Sequence, residues 1–447
     1  MTTKIVIVGA GPCGILLAHY LLHRCDQYQV DIYDRRSDPR CIPFTKCRTY
    51  PLALNQRGFE ALQRVEGLVD AVKAEGVEIK GSVSHLQTGK KKVLPRHKPL
   101  ITIDRTRLVI ALLEKLTHHY DSDRLRLHFN HKCVEVDMEA KTITFQYVTD
   151  SQIQREEDVL TLPYDLLFGV DGVRSTIRTQ LINTERFEFE QKYVQQDYKT
   201  VFFPCPSTRN EISLEPDHIH AWRLKDGTGL LAVPQPDQSL SGVIIFPRDQ
   251  GKVADLSTPT EVLSFFYQNF QEIGQLMPES EAEAFLKRPI STVLTIRCSH
   301  YHYGDSVLIM GDAAHAVSPA LGQGCNSAFE DVVVLDRILD QYAGDFAMAI
   351  PQFTTQRTPD AHALLELSEG PFPLSKGLFI EFMVRLHWAR LMHKLFPKRY
   401  PPFVTDLISD TTVPYSEILQ FYRGWMSKVK RSNRRYLEAI AADGGDR

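Results

Sequence analysis

The chain has 447 residues, 43% hydrophobic and 24% charged, with a formal net charge of −3. That length and composition call for two or three packed domains rather than disorder, and the near-neutral balance offers no electrostatic footprint for nucleic acid. Eight cysteines, at 13, 25, 41, 47, 133, 205, 298 and 325, include no Cys-x-x-Cys pair and no histidine cluster of zinc spacing, so reduced thiols in a cytoplasmic enzyme without a metal are expected.

After Met1-Thr2-Thr3 the chain enters Lys4-Ile5-Val6-Ile7-Val8, a strand of the kind buried on both faces, with no secretory leader pattern before it. Gly9–Gly14 reads as a tight turn, Ile15–Arg24 as a helix and Val30–Asp34 as a second strand, a βαβ beginning. Lys90-Lys91-Lys92 with Arg96 and Lys98 reads as a solvated hairpin tip. A helix is expected from Arg105 to 118, then strands at Leu125–Val136 and Lys141–Tyr147 as a β-meander, and a buried strand at Tyr164–Val170. From about 180 to 295 short runs at Tyr198–Phe203, His218–Arg223, Gly229–Pro234 and Leu240–Phe246 alternate with turn residues, which predicts an antiparallel sheet in a second domain. Ser306–Met310 returns to a buried strand, and beyond 360 the pattern is helical with breaks at Gly370–Pro373 and Tyr400–Pro402. The boundaries implied are 1–180 with 296–360 for the first domain, 70–105 lying partly in the second, 181–295 for the second, and 361–447 for a helical lid. No apolar run reaches the ~20 residues that span a bilayer. Phe379–Phe396, which carries Arg385, His387, Arg390, His393 and Lys394, is read as a helix packed on the protein, with contact to a membrane surface as the lesser alternative.

Gly9-Ala10-Gly11-Pro12-Cys13-Gly14 is G-x-G-x-x-G between a strand and a helix. Gly9 permits the turn, Gly11 lets backbone approach a pyrophosphate, and Gly14 lets helix and strand pack closely. The helix start adds amide donors and partial positive charge. Asp34 stands 20 residues beyond Gly14, where a carboxylate can accept from ribose hydroxyls, with Arg35 beside it. This constellation specifies a dinucleotide without naming it.

Two later segments narrow the cofactor. Asp171-Gly172 ends one strand. Gly311-Asp312-Ala313-Ala314-His315 ends another and leads through Pro319 to Gly322-Gln323-Gly324-Cys325-Asn326 and then Glu330-Asp331. Together with the glycine turn, these resemble the three fingerprints of the FAD-dependent aromatic hydroxylases, the single-component flavoprotein monooxygenases. The resemblance implies an α/β fold: a Rossmann-like, three-layer FAD-binding domain with a β-meander, an antiparallel-sheet substrate domain and C-terminal helices. It implies non-covalent FAD, with NADPH or NADH, O2 and a small aromatic as co-substrates, and hydroxylation through a flavin C4a-hydroperoxide. By the same resemblance Asp312 binds ribitol hydroxyls, Gly322–Asn326 approaches the isoalloxazine, Arg48 stands near the pyrophosphate, Arg105 matches a polar residue that contacts the cofactor, and Cys133 and Asp171 belong to the cofactor site. His315 is read as a packed strand-end histidine, and no catalytic base is assigned.

Within that family, Arg48-Thr49-Tyr50-Pro51-Leu52-Ala53-Leu54-Asn55-Gln56-Arg57-Gly58 and His128-Phe129-Asn130-His131 resemble the kynurenine 3-monooxygenases. The C-terminal Met392–Pro397, Tyr400–Pro402 and Pro414-Tyr415 resemble the hydroxylases of violacein synthesis. The kynurenine enzymes hold their substrate's carboxylate with an arginine and a tyrosine, and carry an asparagine on a later helix. Ser82 and Arg96 stand at the first two places here and the third falls near Glu369, which points to a tryptophan-derived or indolic aromatic other than kynurenine, with Arg96 and Pro319 as candidate substrate contacts. A flavin-dependent halogenase is disfavoured because Ala221-Trp222-Arg223-Leu224 lacks W-x-W-x-I-P. An oxidase or reductase that does not hydroxylate, and a non-catalytic flavin-binding protein, remain the alternatives.

Overall fold

The computed structural model describes residues 2–44, 49–148, 159–206, 214–248 and 252–444. The apolar run at the start becomes β1 (Thr3–Val8), whose Ile5, Val6, Ile7 and Val8 are all buried because both faces of the strand are covered. It lies inside a six-stranded sheet with β2 (Tyr28–Tyr33), β6 (Leu125–His128), β10 (Leu166–Gly169), β17 (Val307–Ile309) and β16 (His302–Tyr303), in the order β16-β17-β10-β1-β2-β6. All neighbours are parallel except β16, which runs against β17. α1 (Pro12–Arg24) packs on α4 (Arg105–His119) and α10 (Gly324–Gln341). The meander β7 (His131–Asp137), β8 (Thr142–Tyr147) and β9 (Val159–Pro163) forms its own three-stranded sheet, closed onto β2 by Tyr33 stacked on Phe145 at 3.9 Å. Only β6, the first half of the segment expected as a single strand, joins the main sheet; Asn130, at φ +61, turns the chain away.

The second sheet has eight strands, in the order β15-β11-β14-β13-β12-β4-β5-β3. β11 (Phe189–Phe203), β12 (His218–Arg223), β13 (Gly229–Pro234), β14 (Leu240–Pro247) and β15 (Ser291–Cys298) come from the expected region. β3 (Pro51–Leu54), β4 (Val77–His85) and β5 (Lys91–Asp104) come from the N-terminal half. The sheet is therefore mixed rather than wholly antiparallel: β4 and β12 pair in parallel, Gly81 opposite His218. Residue 296 falls inside β15, so the sheet continues past 295. Parallel pairing joins segments far apart in sequence, which local alternation does not encode. α6 (Pro259–Asn269), α7 (Gln271–Gly274) and α8 (Glu279–Lys287) cover one face over Val201, Phe203, Leu230, Ile244 and Phe246. Alternation then turns Tyr198, Thr200, Val243 and Ile245 to the other face.

Short helices α2 (Gln56–Gln63), α3 (Leu68–Ala74), α5 (Thr176–Leu181) and α9 (Asp312–His315) join these layers. α11 (Phe346–Ser368) begins before the expected helical region and continues through Pro351 and Pro359. It packs on α14 (Tyr415–Gly444), and α12 (Lys376–Leu395) and α13 (Val404–Asp410) complete a third core around Leu364, Phe382, Phe403 and Trp425. No described helix is long and apolar enough to cross a membrane.

Candidate functional site

The three glycines of the first turn do different work. Gly9 sits at φ +116, and a Cβ there would stand 2.4 Å from Val170 O. A Cβ on Gly14 would stand 2.1 Å from Gly9 O. Both are packing glycines. Gly11 has an ordinary extended conformation (φ −81, ψ 176), and a Cβ there would meet only the Arg105 guanidinium, at 3.6 Å. Its openness therefore faces a cation, not a neighbouring strand. α1 starts at Pro12 with no side-chain cap, and its first ladder bond runs from Ile15 N to Gly11 O. The amides of Cys13 and Gly14 stand outside the ladder at the positive end of the helix. Cys13 offers its amide rather than its sulfur, because the thiol donates to Ala328 O at 3.4 Å and burial pushes its pKa well up.

Asp34 accepts from Ala10 N at 2.9 Å and Arg36 N at 2.8 Å, so it fixes the turn against the end of β2; the neighbouring Arg35 is exposed. Arg105 is the first residue of α4. Asp104 caps that helix through Thr106 N at 2.8 Å and also accepts from the Thr49 hydroxyl. Arg105 N donates to Tyr50 O at 3.1 Å. Burial raises the Tyr50 hydroxyl to about 12, with Arg105 pulling it down and Asp312 pushing it up. Tyr198 is raised for the same first reason, with Ser291 and Arg105 opposing. Tyr50, Tyr198, Arg105 and Asp312 thus lie near enough for the charges of Arg105 and Asp312 to act on both hydroxyls.

Asp312 opens α9 with a solvent-accessible carboxylate, yet protein hems it in closely enough that burial raises its pKa against the positive charge of His315 and Arg105. A Cβ on Gly324 would stand 3.9 Å from Asp312 Oδ1. Between the two lies the loop that Gly322 turns at φ +63, after the exposed Pro319 begins a 3-10 turn. Ser327 N makes the first ladder bond of α10, to Gln323 O at 2.7 Å, leaving the amides of Gly324, Cys325 and Asn326 outside the ladder. Burial raises the Cys325 thiol to about 12.

Several of the expected residues have partners within the protein. The Asn326 side chain donates to Ala53 O at 2.8 Å and Gly322 O at 2.9 Å and accepts from Asn55 N at 2.9 Å. Only its amide remains for a cofactor. Asp171 accepts from Thr176 N at 2.6 Å at the start of α5, and the Cys133 thiol is buried in β7 facing Glu135 O at 3.9 Å. Arg96 is paired with Asp410 of α13 at 3.1 Å, so its guanidinium holds the helical layer to β5 rather than standing free for a substrate. Glu369 ends α11, 3.6 Å from Lys430. Arg48 lies outside the described residues.

The periodicity left a supporting network unseen. Asp331 accepts from Gly311 N at 2.7 Å and from Arg357 Nε at 2.6 Å, and His315 Nε2 lies 2.7 Å from it. Burial alone would raise the Asp331 carboxyl, but His315 and Arg357 outweigh it and hold the pKa low. Arg357 also reaches Glu330 at 2.9 Å, which Arg57 grips from the other side. Gln323 accepts from Asn55 at 2.9 Å and from the Tyr415 hydroxyl at 3.0 Å. The loop before α10 is thereby tied to segments near both ends of the chain. Glu330-Asp331 was visible after the fingerprint, but nothing local marks Arg357 or Tyr415 as its partners.

Two unladdered helix starts, an arginine over Gly11 and an accessible carboxylate beside a glycine loop suit a pyrophosphate joined to a polyol and a ring. FAD has that form. Residues 2–366 match the family described as FAD binding domain. The kynurenine 3-monooxygenase of Sus scrofa is 29% identical over 433 residues, covering 96% of this chain and 88% of that protein. That of Salinispora tropica is 31% identical over 448 residues, covering 98% and 93%. Among solved structures, 2-methyl-3-hydroxypyridine-5-carboxylic acid oxygenase superposes with a TM-score of 0.66 at 19% identity, over 82% of this chain and 90% of that one, a likeness of fold. The chain is an oxidoreductase enzyme and belongs to the FAD-binding family of flavoprotein aromatic monooxygenases that includes the kynurenine 3-monooxygenases.

Proposed function

We propose that this enzyme hydroxylates a small, electron-rich, tryptophan-derived or indolic aromatic in the cytoplasm, with NADPH or NADH as reductant and O2 as oxygen source. The observation that carries the reading is the face of the second sheet that Tyr198 shares with Val243 and Ile245, with Tyr198 near enough to Arg105 and Asp312 for their charges to act on it. When bound, FAD supplies electron transfer and oxygen activation, and the protein supplies position and electrostatics. Cys13 and Gly14 amides with Arg105 would hold the pyrophosphate, and Asp312 the ribitol. The amides of Gly324, Cys325 and Asn326 would stabilise negative charge on the reduced ring. The largely apolar wall would hold an aromatic plane and exclude water. Substrate choice away from kynurenine is supported by Ser82 on β4 and by the occupation of Arg96 by Asp410.

The test is a panel of indolic, anthranilate-type and kynurenine substrates, scored for stimulated NAD(P)H oxidation and for ¹⁸O from ¹⁸O2 in the product. Incorporation with an indolic or anilinic aromatic is expected. Stimulated oxidation without incorporation would make the enzyme an oxidase or reductase, and efficient kynurenine hydroxylation would overturn the substrate assignment.

A further inference from the structure

We propose that the aromatic this enzyme hydroxylates carries no carboxylate, because the two arginines over the β5 edge of the second sheet are already matched by aspartates of the chain itself. The inference rests on the hydroxylase reading above and narrows its substrate. Register fixes which side chains share the open face of that sheet. Ser82 stands opposite Ile219 on β12 and Leu94 on β5; Ala221 stands opposite Leu231, and Leu231 opposite Val243. Trp222 and Leu230, the chain neighbours of Ala221 and Leu231, are buried in the core under α6, α7 and α8. Alternation therefore turns Ser82, Leu94, Ile219, Leu231 and Val243 to the face that carries Tyr198. Leu94 packs against the third core, as do Val317 and Leu321, which flank Pro319 in the loop leading to Gly322. The β5 edge of this face and the cofactor loop thus share one helical support.

The charges around that face are already spoken for. Arg96, two residues beyond Leu94 and so on the same side of β5, is largely buried and meets Asp410 at 3.1 Å. Ser409 Oγ donates to the same carboxylate at 2.9 Å. Arg390 of α12 reaches Pro95 O at 3.3 Å and is held by both oxygens of Asp406, each at 2.8 Å. Asp406 and Asp410 lie one turn apart on α13, so the helix sets one carboxylate against each arginine. Lys98 turns to Gln56 at 3.4 Å. Lys92, opposite Ser84, and Arg223, two residues beyond Ala221, lie on the same face but are exposed at its hairpin end, where a pair with a solvated carboxylate is worth little. A substrate carboxylate brought to the β5 edge would lose water, gain no free cation and face Asp410 as a like charge. An aromatic without one meets only the aliphatic face and the serine hydroxyl.

The experiment compares matched pairs that differ by one carboxylate: indole and indole-3-carboxylate, tryptamine and tryptophan, kynuramine and kynurenine. Binding to the FAD-loaded full chain is read from the change in flavin absorbance, and turnover from NAD(P)H oxidation with ¹⁸O in the product. In the pair that is turned over, the member without the carboxylate should bind roughly 10- to 100-fold more tightly. Asp410→Ala, which frees Arg96, should shift that ratio roughly 10-fold toward the acid, and adding Arg96→Ala should cancel the shift. Asp410→Asn supplies the same comparison, with a smaller shift, if alanine is not tolerated. Equal or tighter binding of the acid by the parent overturns the proposal, as does an Asp410 variant that keeps the parental ratio. An acid that acquires ¹⁸O in preference to its partner overturns this inference alone. If no member of any pair acquires ¹⁸O, the hydroxylase reading falls and this inference with it.

Discussion

Replacing Gly11 by alanine should separate cofactor binding from folding. Gly11 has backbone angles that alanine adopts freely, and the added methyl would meet only Arg105, at an ordinary contact distance of 3.6 Å. The apoprotein should therefore melt within a degree or two of the parent. The same methyl would stand where a phosphate must approach the amides of Cys13 and Gly14. Displacing one charge-assisted hydrogen bond costs about 1.5–3 kcal/mol, which at about 1.4 kcal/mol per decade is a roughly 10- to 150-fold loss of FAD affinity. Gly14→Ala is the contrast, because its methyl would lie 2.1 Å from Gly9 O and 2.8 Å from Val170 Cγ2. There the backbone must move, at a cost of about 1–3 kcal/mol or more to the fold itself. The assay is FAD titration of each apoprotein by flavin fluorescence, beside thermal unfolding without FAD. Parental FAD affinity in Gly11→Ala, or an apoprotein as destabilised as Gly14→Ala, would refute the reasoning.

Three other outcomes are expected. Asp312→Ala should weaken FAD by roughly 10- to 100-fold through loss of a charged hydrogen bond while the fold survives with excess cofactor; unchanged retention on a desalting column would count against the ribitol role. Asp331→Asn removes the anion from the buried Arg357 and should cost about 3–5 kcal/mol in denaturant unfolding, the range for breaking a buried pair. Because the folded pKa of Asp331 is lowered, its stabilisation is complete above the unfolded value of about 3.9 and fades as pH falls through the folded value. The deficit of the variant should thus be flat from neutral pH to about 5 and shrink only in stronger acid; a deficit that shrank near neutrality would contradict the assignment. Arg96→Ala leaves the buried Asp410 without its arginine, the two side chains being 24% and 12% exposed, and should cost about 1–3 kcal/mol; a selective rise in KM for acidic substrates would instead show that the arginine meets them.

Much of the architecture was legible from local pattern. A β-branched run, a glycine turn and an apolar helix announce a βαβ unit because each part depends on neighbours in sequence, and Asp312 with Gly322–Asn326 announces a strand-to-helix cofactor loop for the same reason. The limits were equally local. Arg96 looked available because its partner Asp410 is 314 residues away, and the Asn326 side chain had no assigned partner because Asn55 and Ala53 could not be placed beside it. Tyr198 carries no motif, and Tyr50 falls inside the Arg48–Gly58 run with nothing local to link the two; they share a layer only because β3, which Tyr50 precedes, and β11 belong to one eight-stranded sheet.

By itself the sequence determined the dinucleotide turn, the order of the three fingerprints and the α/β class, since these rest on backbone geometry and helix ends within a few residues. Tertiary structure alone decided that β4 joins β12 in parallel, that Asp331 rather than a surface acid answers Arg357, and that α12 shows an apolar face outward. Those outcomes depend on which distant surfaces exclude water from one another, and a buried charge or an exposed leucine acquires its meaning only from the neighbour that packing supplies or withholds.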